Sequence, residues 1–171
     1  MNTLQTDRLV LRPLAENDVN EVYFLRSDAE VGKYIKRDKL KDTDGALLFI
    51  RRIIRDVSKG KNYYWAISTP EDSTMIGSIC LWNFNDTKTK AEVGYDLHPN
   101  FQGKGYMNEA LNAILTLSFD TLKLTEVSAY TDYRNLASQA LLTRNKFKLQ
   151  SYERDEDNEN NRIFTLHKTF R

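Results

Sequence analysis

The sequence has a single cysteine, Cys80, among 171 residues. An internal disulfide and a cysteine-built zinc site are therefore excluded, which fits a reducing compartment. There are only two histidines, His98 and His167, and their wide separation argues against a histidine-based zinc centre, so no metal is expected. Charge of one sign is also lacking: 25 Lys and Arg face 24 Asp and Glu, a formal net charge of +1. No global field exists to hold nucleic acid or an anionic membrane, and neither is expected as a partner. Long apolar runs are missing as well, the longest being the five residues Ala46 to Ile50 and Tyr63 to Ile67; a bilayer-spanning helix needs roughly 20. Asp7, Arg8 and Arg12 stand where a secretory leader carries its apolar stretch, so a cytoplasmic location is expected.

What is present suits a packed core. A hydrophobic share of 40% and a charged share of 29% exclude a disordered, collagen-like or low-complexity chain. The length predicts one domain over residues 1–171. Alternation of Leu9 and Leu11 with Arg8 and Arg12 predicts a strand ending at Pro13. A helix follows from a cap at Asn17 or Asp18 to about Ser27, and Val31 to Leu40 reads as a short helix or a loop. Asp42 or Asp44 opens a second helix, with Leu47, Ile50, Ile54 and Val57 expected on its buried face and Gly60 at its end. From Asn62 the period becomes two, giving antiparallel strands over Asn62 to Ser68, Met75 to Trp82 and Lys90 to Leu97. Beyond them come a helix from Met107 to Phe119, a strand from Glu126 to Tyr130 and a helix from Asn135 to Asn145. Strands over Phe147 to Tyr152 and Arg162 to Thr169 end the chain. The expected fold class is α/β, with a mixed, mostly antiparallel sheet flanked by helices.

Phe101 to Glu109, lying between a strand and a helix, carries Gly103 and Gly105. Glycines there let successive backbone N–H groups converge, and the following helix adds free N–H groups and the positive end of its dipole. The result is an anion site suited to a pyrophosphate, or else merely a tight turn. A Walker loop is excluded because Gly103-Lys104 is followed by Gly105, and a dinucleotide loop because Asn108 replaces its third glycine. The absence of a Gly-x-Ser-x-Gly elbow argues against a serine hydrolase. Cys80, between Ile79 and Leu81, reads as a small hydrophobe, and His98, before Pro99, as a strand-end packing residue.

Glu92, Gly94 and Asp96 share one face of their strand, opposite Ala91, Val93, Tyr95 and Leu97. If partly desolvated, Glu92 is suited to act as a general base; if that face is wet, it is an ordinary surface acid. Asn135 is a good helix cap, and Ser138 falls in the same first turn, where small polar residues also reach ligands.

Taken together, Thr6 to Leu14, Ala91 to Tyr106 and Asn135 to Ser138 resemble the GNAT superfamily of acetyl-CoA-dependent N-acetyltransferases, in particular the RimJ/RimL-like type that acetylates ribosomal-protein N-termini. The family's Gln/Arg-x-x-Gly-x-Gly/Ala motif maps onto Gln102, Gly105 and Met107. The resemblance implies that acetyl-CoA is the cosubstrate, held by Leu97, Gln102, Gly103, Lys104, Gly105, Tyr106, Met107, Asn135 and Ser138. Because an acceptor amine must lose a proton before it attacks, Glu92 is expected to act as the general base through water, and the resemblance implies backbone N–H groups on the strand holding Tyr95 and Leu97 as the oxyanion donors. Three positions depart from the pattern: Met107 stands for Gly or Ala, Lys146 for the Gly before Phe147, and Leu142 for the tyrosine that protonates the departing thiolate. Ser138 is the nearest substitute for that tyrosine. The expected acceptor is the amine of a protein N-terminus, a polyamine or another small molecule, and the chain is expected to be a monomer or homodimer. The alternative is a catalytically weak acyl-CoA-binding module that regulates a partner.

Glu153 to Glu159 holds five carboxylates against Arg154. In the resembling family this loop borders the acceptor opening, which implies a preference for cationic acceptors; the plainer alternative is a solvated hairpin tip.

Overall fold

The computed structural model describes residues 2–168. Its centre is an eight-stranded sheet in the order β1-β2-β3-β4-β5-β6-β8-β7. The strands are β1 (Leu4–Gln5), β2 (Val10–Pro13), β3 (Tyr63–Ser68), β4 (Gly77–Trp82), β5 (Lys90–Leu97), β6 (Glu126–Asp132), β7 (Lys148–Leu149) and β8 (Asn161–His167). All neighbours pair antiparallel except β5 and β6, which run parallel. The four helices are α1 (Val19–Ser27), α2 (Thr43–Ser58), α3 (Tyr106–Thr116) and α4 (Leu136–Arg144), and α3 continues into a π-helical turn at Leu117–Thr121. The α/β class and the mostly antiparallel sheet agree with the expectation.

The sheet has a core on each face. One packs Leu111, Ile114 and Met107 of α3 against Ala91, Val93 and Leu97 of β5. The other packs Val22 and Leu25 of α1 and Phe49, Ile50 and Ile53 of α2 against Tyr64 and Ala66 of β3. The alternation of β5 assigns one set of side chains to each core, which leaves Glu92, Gly94 and Asp96 on the α1–α2 side.

Several expectations need correction. Asp42 caps α2 as expected, its Oδ1 accepting the Gly45 N–H at 2.8 Å. The buried face is instead Ala46, Phe49, Ile50 and Ile53, while Ile54 is 41% exposed. Two overlapping apolar stripes satisfy helical spacing here, and packing of the Phe49 ring against Tyr64 selects the second. Of the two alternatives for Val31 to Leu40 the loop is found, with turns over Val31 to Tyr34, secured where Arg37 donates from Nη2 to the Leu25 carbonyl at 2.7 Å. β1 is too short to leave a periodic signal. The strand expected over Phe147 to Tyr152 shortens to Lys148–Leu149, and Thr169 lies outside the described residues.

Candidate active site

β5 and β6 stay paired only from Lys90–Glu126 to Glu92–Ser128. Both strands continue, to Leu97 and Asp132 respectively, so the sheet opens as a wedge beyond Glu92. The His98 N–H donates to the Ile76 carbonyl at 2.8 Å. By the two-residue alternation of a strand, the N–H groups of Asp96 and Gly94 then aim at β4, and those of Tyr95 and Leu97 aim into the wedge. The Leu97 carbonyl on that edge is satisfied by Gln102, whose Nε2 donates at 2.9 Å.

A cavity of about 670 Å³ fills the wedge and runs down to the start of α3. It is lined by Leu97, Gln102, Gly103, Gly105, Tyr106, Met107, Asn135 and Ser138, the residues expected to hold the cosubstrate. Lys104 is the exception; its ammonium lies 5.5 Å from the Phe101 ring centroid, outside the lining. Gly103 and Gly105 have φ of 73° and 81°, left-handed values that side chains rarely adopt. A Cβ at Gly103 would meet no atom within 4 Å, so the loop leaves open space beside its N–H groups. Met107 is buried in the core beneath α3 and forms part of the cavity wall.

The start of the described chain braces this loop. Glu109 of α3 accepts hydrogen bonds from Thr6 Oγ1 at 2.5 Å, the Arg8 N–H at 2.8 Å and Arg8 Nε at 2.8 Å. Arg8 Nη1 also donates to the Lys104 carbonyl at 3.0 Å, and its guanidinium covers the Tyr106 ring at 4.7 Å. Residues about a hundred positions apart thereby fix the N-terminal turn of α3, which sets where its free N–H groups point.

On the other side of β5 lies a second cleft of about 1000 Å³, sharing the walls Val93 to Asp96 with the first. Glu92 lines it and is 9% exposed, with Asn83 Nδ2 donating to its Oε2 at 3.2 Å. Burial pushes the Glu92 carboxyl up to about 7, with a further push from Asp155, despite the Asn83 hydrogen bond. Glu92 is therefore not a wet surface acid. Asp155 and Asp157 of the acidic loop reach this cleft, and Asp155 Oδ2 is held by Asn161 Nδ2 at 2.7 Å.

Asn135 caps α4, its Oδ1 accepting the Ser138 N–H at 3.1 Å. Ser138 Oγ lies 2.8 Å from the Tyr95 phenol oxygen, inside the wedge. Leu142 is fully buried in the core. Sequence reasoning placed Tyr95 on the apolar face and missed its hydroxyl; a tyrosine on a strand beside small polar residues was the available signal. Arg8 and Glu109 were missed because they are 101 positions apart, and Asn83 because its bond to Glu92 crosses a turn whose register the sequence does not fix. His98 stacks on Phe24 at 4.5 Å, and burial pushes the Cys80 thiol up to about 12, so both keep their structural roles.

A split parallel pair, a glycine loop at a helix start and a buried carboxylate across the strand thus meet around β5. Residues 8–148 match the acetyltransferase (GNAT) domain family, and the chain belongs to it. It is 31% identical over 169 residues to the uncharacterized N-acetyltransferase p20 of Bacillus licheniformis, covering 98% of this chain and 94% of the relative. Among solved structures it is similar to RimL, the ribosomal L7/L12 alpha-N-protein acetyltransferase, in complex with coenzyme A: TM-score 0.84, 19% identity, 97% and 98% of the chains covered. The ribosomal-protein-S5-alanine acetyltransferase of Vibrio fischeri gives a TM-score of 0.82 at 17% identity, over 98% and 97% of the chains.

Proposed function

We propose that residues 1–171 work as a single catalytic domain that transfers an acetyl group from acetyl-CoA directly to an amine, either a small molecule or a protein N-terminus. The observation that carries this reading is that one strand, β5, forms a wall shared by two cavities. Its wedge edge offers the Tyr95 and Leu97 N–H groups beside the glycine loop. Its other face offers a desolvated Glu92. Gly94, with no side chain, lines both cavities between them.

The residues fit acetyl-CoA. N–H groups at Gly103, Gly105 and the start of α3 suit a pyrophosphate, and the wedge replaces a neighbouring strand with space for an amide-bearing arm. Acetyl-CoA supplies an activated acyl group; the chain supplies geometry and proton handling. An acceptor amine is protonated and unreactive at neutral pH. The Glu92 carboxylate takes that proton, directly or through one water, and the amine nitrogen bonds to the acyl carbon as the carbon–sulfur bond breaks. The Tyr95 and Leu97 N–H groups donate to the acyl oxygen as its negative charge grows. The hydroxyl pair Tyr95–Ser138 supplies the proton taken up by the sulfur, a modest aid because a thiolate with pKa near 8.5 leaves unassisted. No metal enters these steps.

Direct transfer requires both substrates to be bound together. Initial rates measured against acetyl-CoA at several fixed amine concentrations should give intersecting double-reciprocal lines. Parallel lines, the signature of an acyl-enzyme, would overturn the direct route.

A further inference from the structure

At the end of the second cleft away from Glu92, three guanidiniums, of Arg26, Arg37 and Arg52, gather with two carboxylates, of Asp56 and Asp96. Arg26 of α1 lies over the Phe49 ring, with Cζ 4.0 Å from its centroid, and Arg52 of α2 approaches the same ring at 5.4 Å. Arg37 pairs with Asp96 at 3.2 Å, and Asp96 is further engaged by Ser78 Oγ at 2.6 Å. Asp56 also faces this end of the cleft, one helical turn beyond Arg52. The Nε atoms of Arg26 and Arg37 and the Oδ1 of Asn62 are buried without a hydrogen-bond partner among the described residues. All three side chains line the cleft. Burial, with Arg37 and Arg52 nearby, disfavours the charged form of Arg26.

A guanidinium held against an aromatic ring and left short of acceptors is poorly compensated in the free protein. It is also pre-organised for a planar or tetrahedral oxyanion, which it grips through paired N–H donors. Glu92, with Asp155 and Asp157, makes the opposite end of the cleft acidic and suited to an ammonium. Glu92 and Asp96 lie four residues apart on one strand face, about 13 Å at 3.3 Å per residue. Amine and anion must therefore be several bonds apart.

Resting on the amine-acetylation reading above, we propose that the acceptor carries an anionic group, a carboxylate or a phosphate, which docks on Arg26 and Arg52 while its amine reaches Glu92. This replaces a simple preference for cationic acceptors: the acidic end takes the ammonium and the basic end takes the anion.

The test compares matched acceptors long enough to reach both ends: triglycine against triglycine amide for the carboxylate, and 6-aminohexyl phosphate against 6-aminohexanol for the phosphate. In at least one pair kcat/KM for the anionic member should exceed the neutral one by about tenfold or more. Arg26→Gln should bring that ratio to within about twofold, Arg26→Lys should restore part of it, and the exposed Arg52→Gln should reduce it. Thermal shifts with each acceptor alone, without acetyl-CoA, should show the same ranking and read binding independently of turnover. Equal or better use of the neutral members, or an Arg26→Gln ratio unchanged in a folded protein, would overturn the proposal. Absence of turnover with every amine would instead overturn the transfer reading, and the thermal shifts would still decide the anion site.

Discussion

Replacing Glu92 by Gln should damage catalysis and stabilise the fold at the same time. The native carboxyl is raised from 4.5 to about 7, mainly by burial, and at about 1.36 kcal/mol for each pH unit this makes its ionisation roughly 3 kcal/mol harder than in the unfolded chain. The folded state holds the proton to higher pH than the unfolded state does, so this group's contribution to stability is lost as pH rises from about 4.5 to about 7. Above about pH 7 the buried charge weighs in full on the native state. Glu92→Gln keeps an acceptor for Asn83 and removes that charge. Because the cleft admits water, about 3 kcal/mol is an upper bound, and at roughly 2–4 °C per kcal/mol for a chain of this size the variant should melt several degrees higher at pH 8. At pH 4.5 the two proteins should melt alike. If Glu92 is the base, kcat should fall by roughly 10²-fold or more at neutral pH, and the loss should shrink only above about pH 7, where free amine accumulates. The parent's rate should rise with pH through about 7, and the variant should lack that limb. Melting curves from pH 4.5 to 8.5 and pH–rate profiles over the functional range check both halves. A variant less stable at pH 8 would refute the desolvation argument, and an unaltered pH–rate profile would remove Glu92 from the chemistry.

Other substitutions probe the remaining parts. Gly105→Asp should abolish the melting-temperature rise with CoA, normally about 2.7 kcal/mol at a hundredfold excess over Kd. It forces a side chain into a backbone at φ 81° and sets its charge against the pyrophosphate, 3.4 Å from Arg8 at the Cβ; an undiminished shift in the folded variant would reject the loop. Lys146 closes α4 at φ 66°, with Phe147 N–H bonded to the Leu142 carbonyl at 3.0 Å and Lys146 N–H to that of Thr143 at 2.9 Å. Lys146→Gly should therefore stabilise by about 1 kcal/mol, read as a rise of roughly 2–4 °C, and a fall in melting temperature would contradict the cap assignment. Tyr95→Phe and Ser138→Ala should each lower kcat less than Glu92→Gln does, with acetyl-CoA affinity little changed. A loss exceeding that of Glu92→Gln would shift the main catalytic burden to the hydroxyl pair.

Much of the site was legible because its signals are local. The two glycines before α3, the cap at Asn135 and the alternation that separates Glu92 from Val93 all act within a few residues. The wedge was not legible, because it depends on where β6, more than thirty residues later, stops pairing with β5. The Arg8–Glu109 brace spans 101 positions, and its carboxylate reads in sequence as an ordinary exposed helix residue. α2 offered two apolar stripes, and only the tertiary position of Phe49 chose between them. The role of Arg26 was hidden for the same reason: its ring partner, its like-charged neighbours and the cleft come from different elements.

The central claim is that this chain uses its split strand pair to acetylate an amine. Its most direct test is the amine-dependent release of CoA thiol from acetyl-CoA by the unmodified protein, followed together with the mass of the amine product over a panel of neutral, cationic and anion-bearing acceptors. Thiol release matched one for one by acetylated amine is the predicted result. Saturable acetyl-CoA binding with no amine-dependent release from any member of the panel would contradict it, and would make the protein an acyl-CoA-binding module.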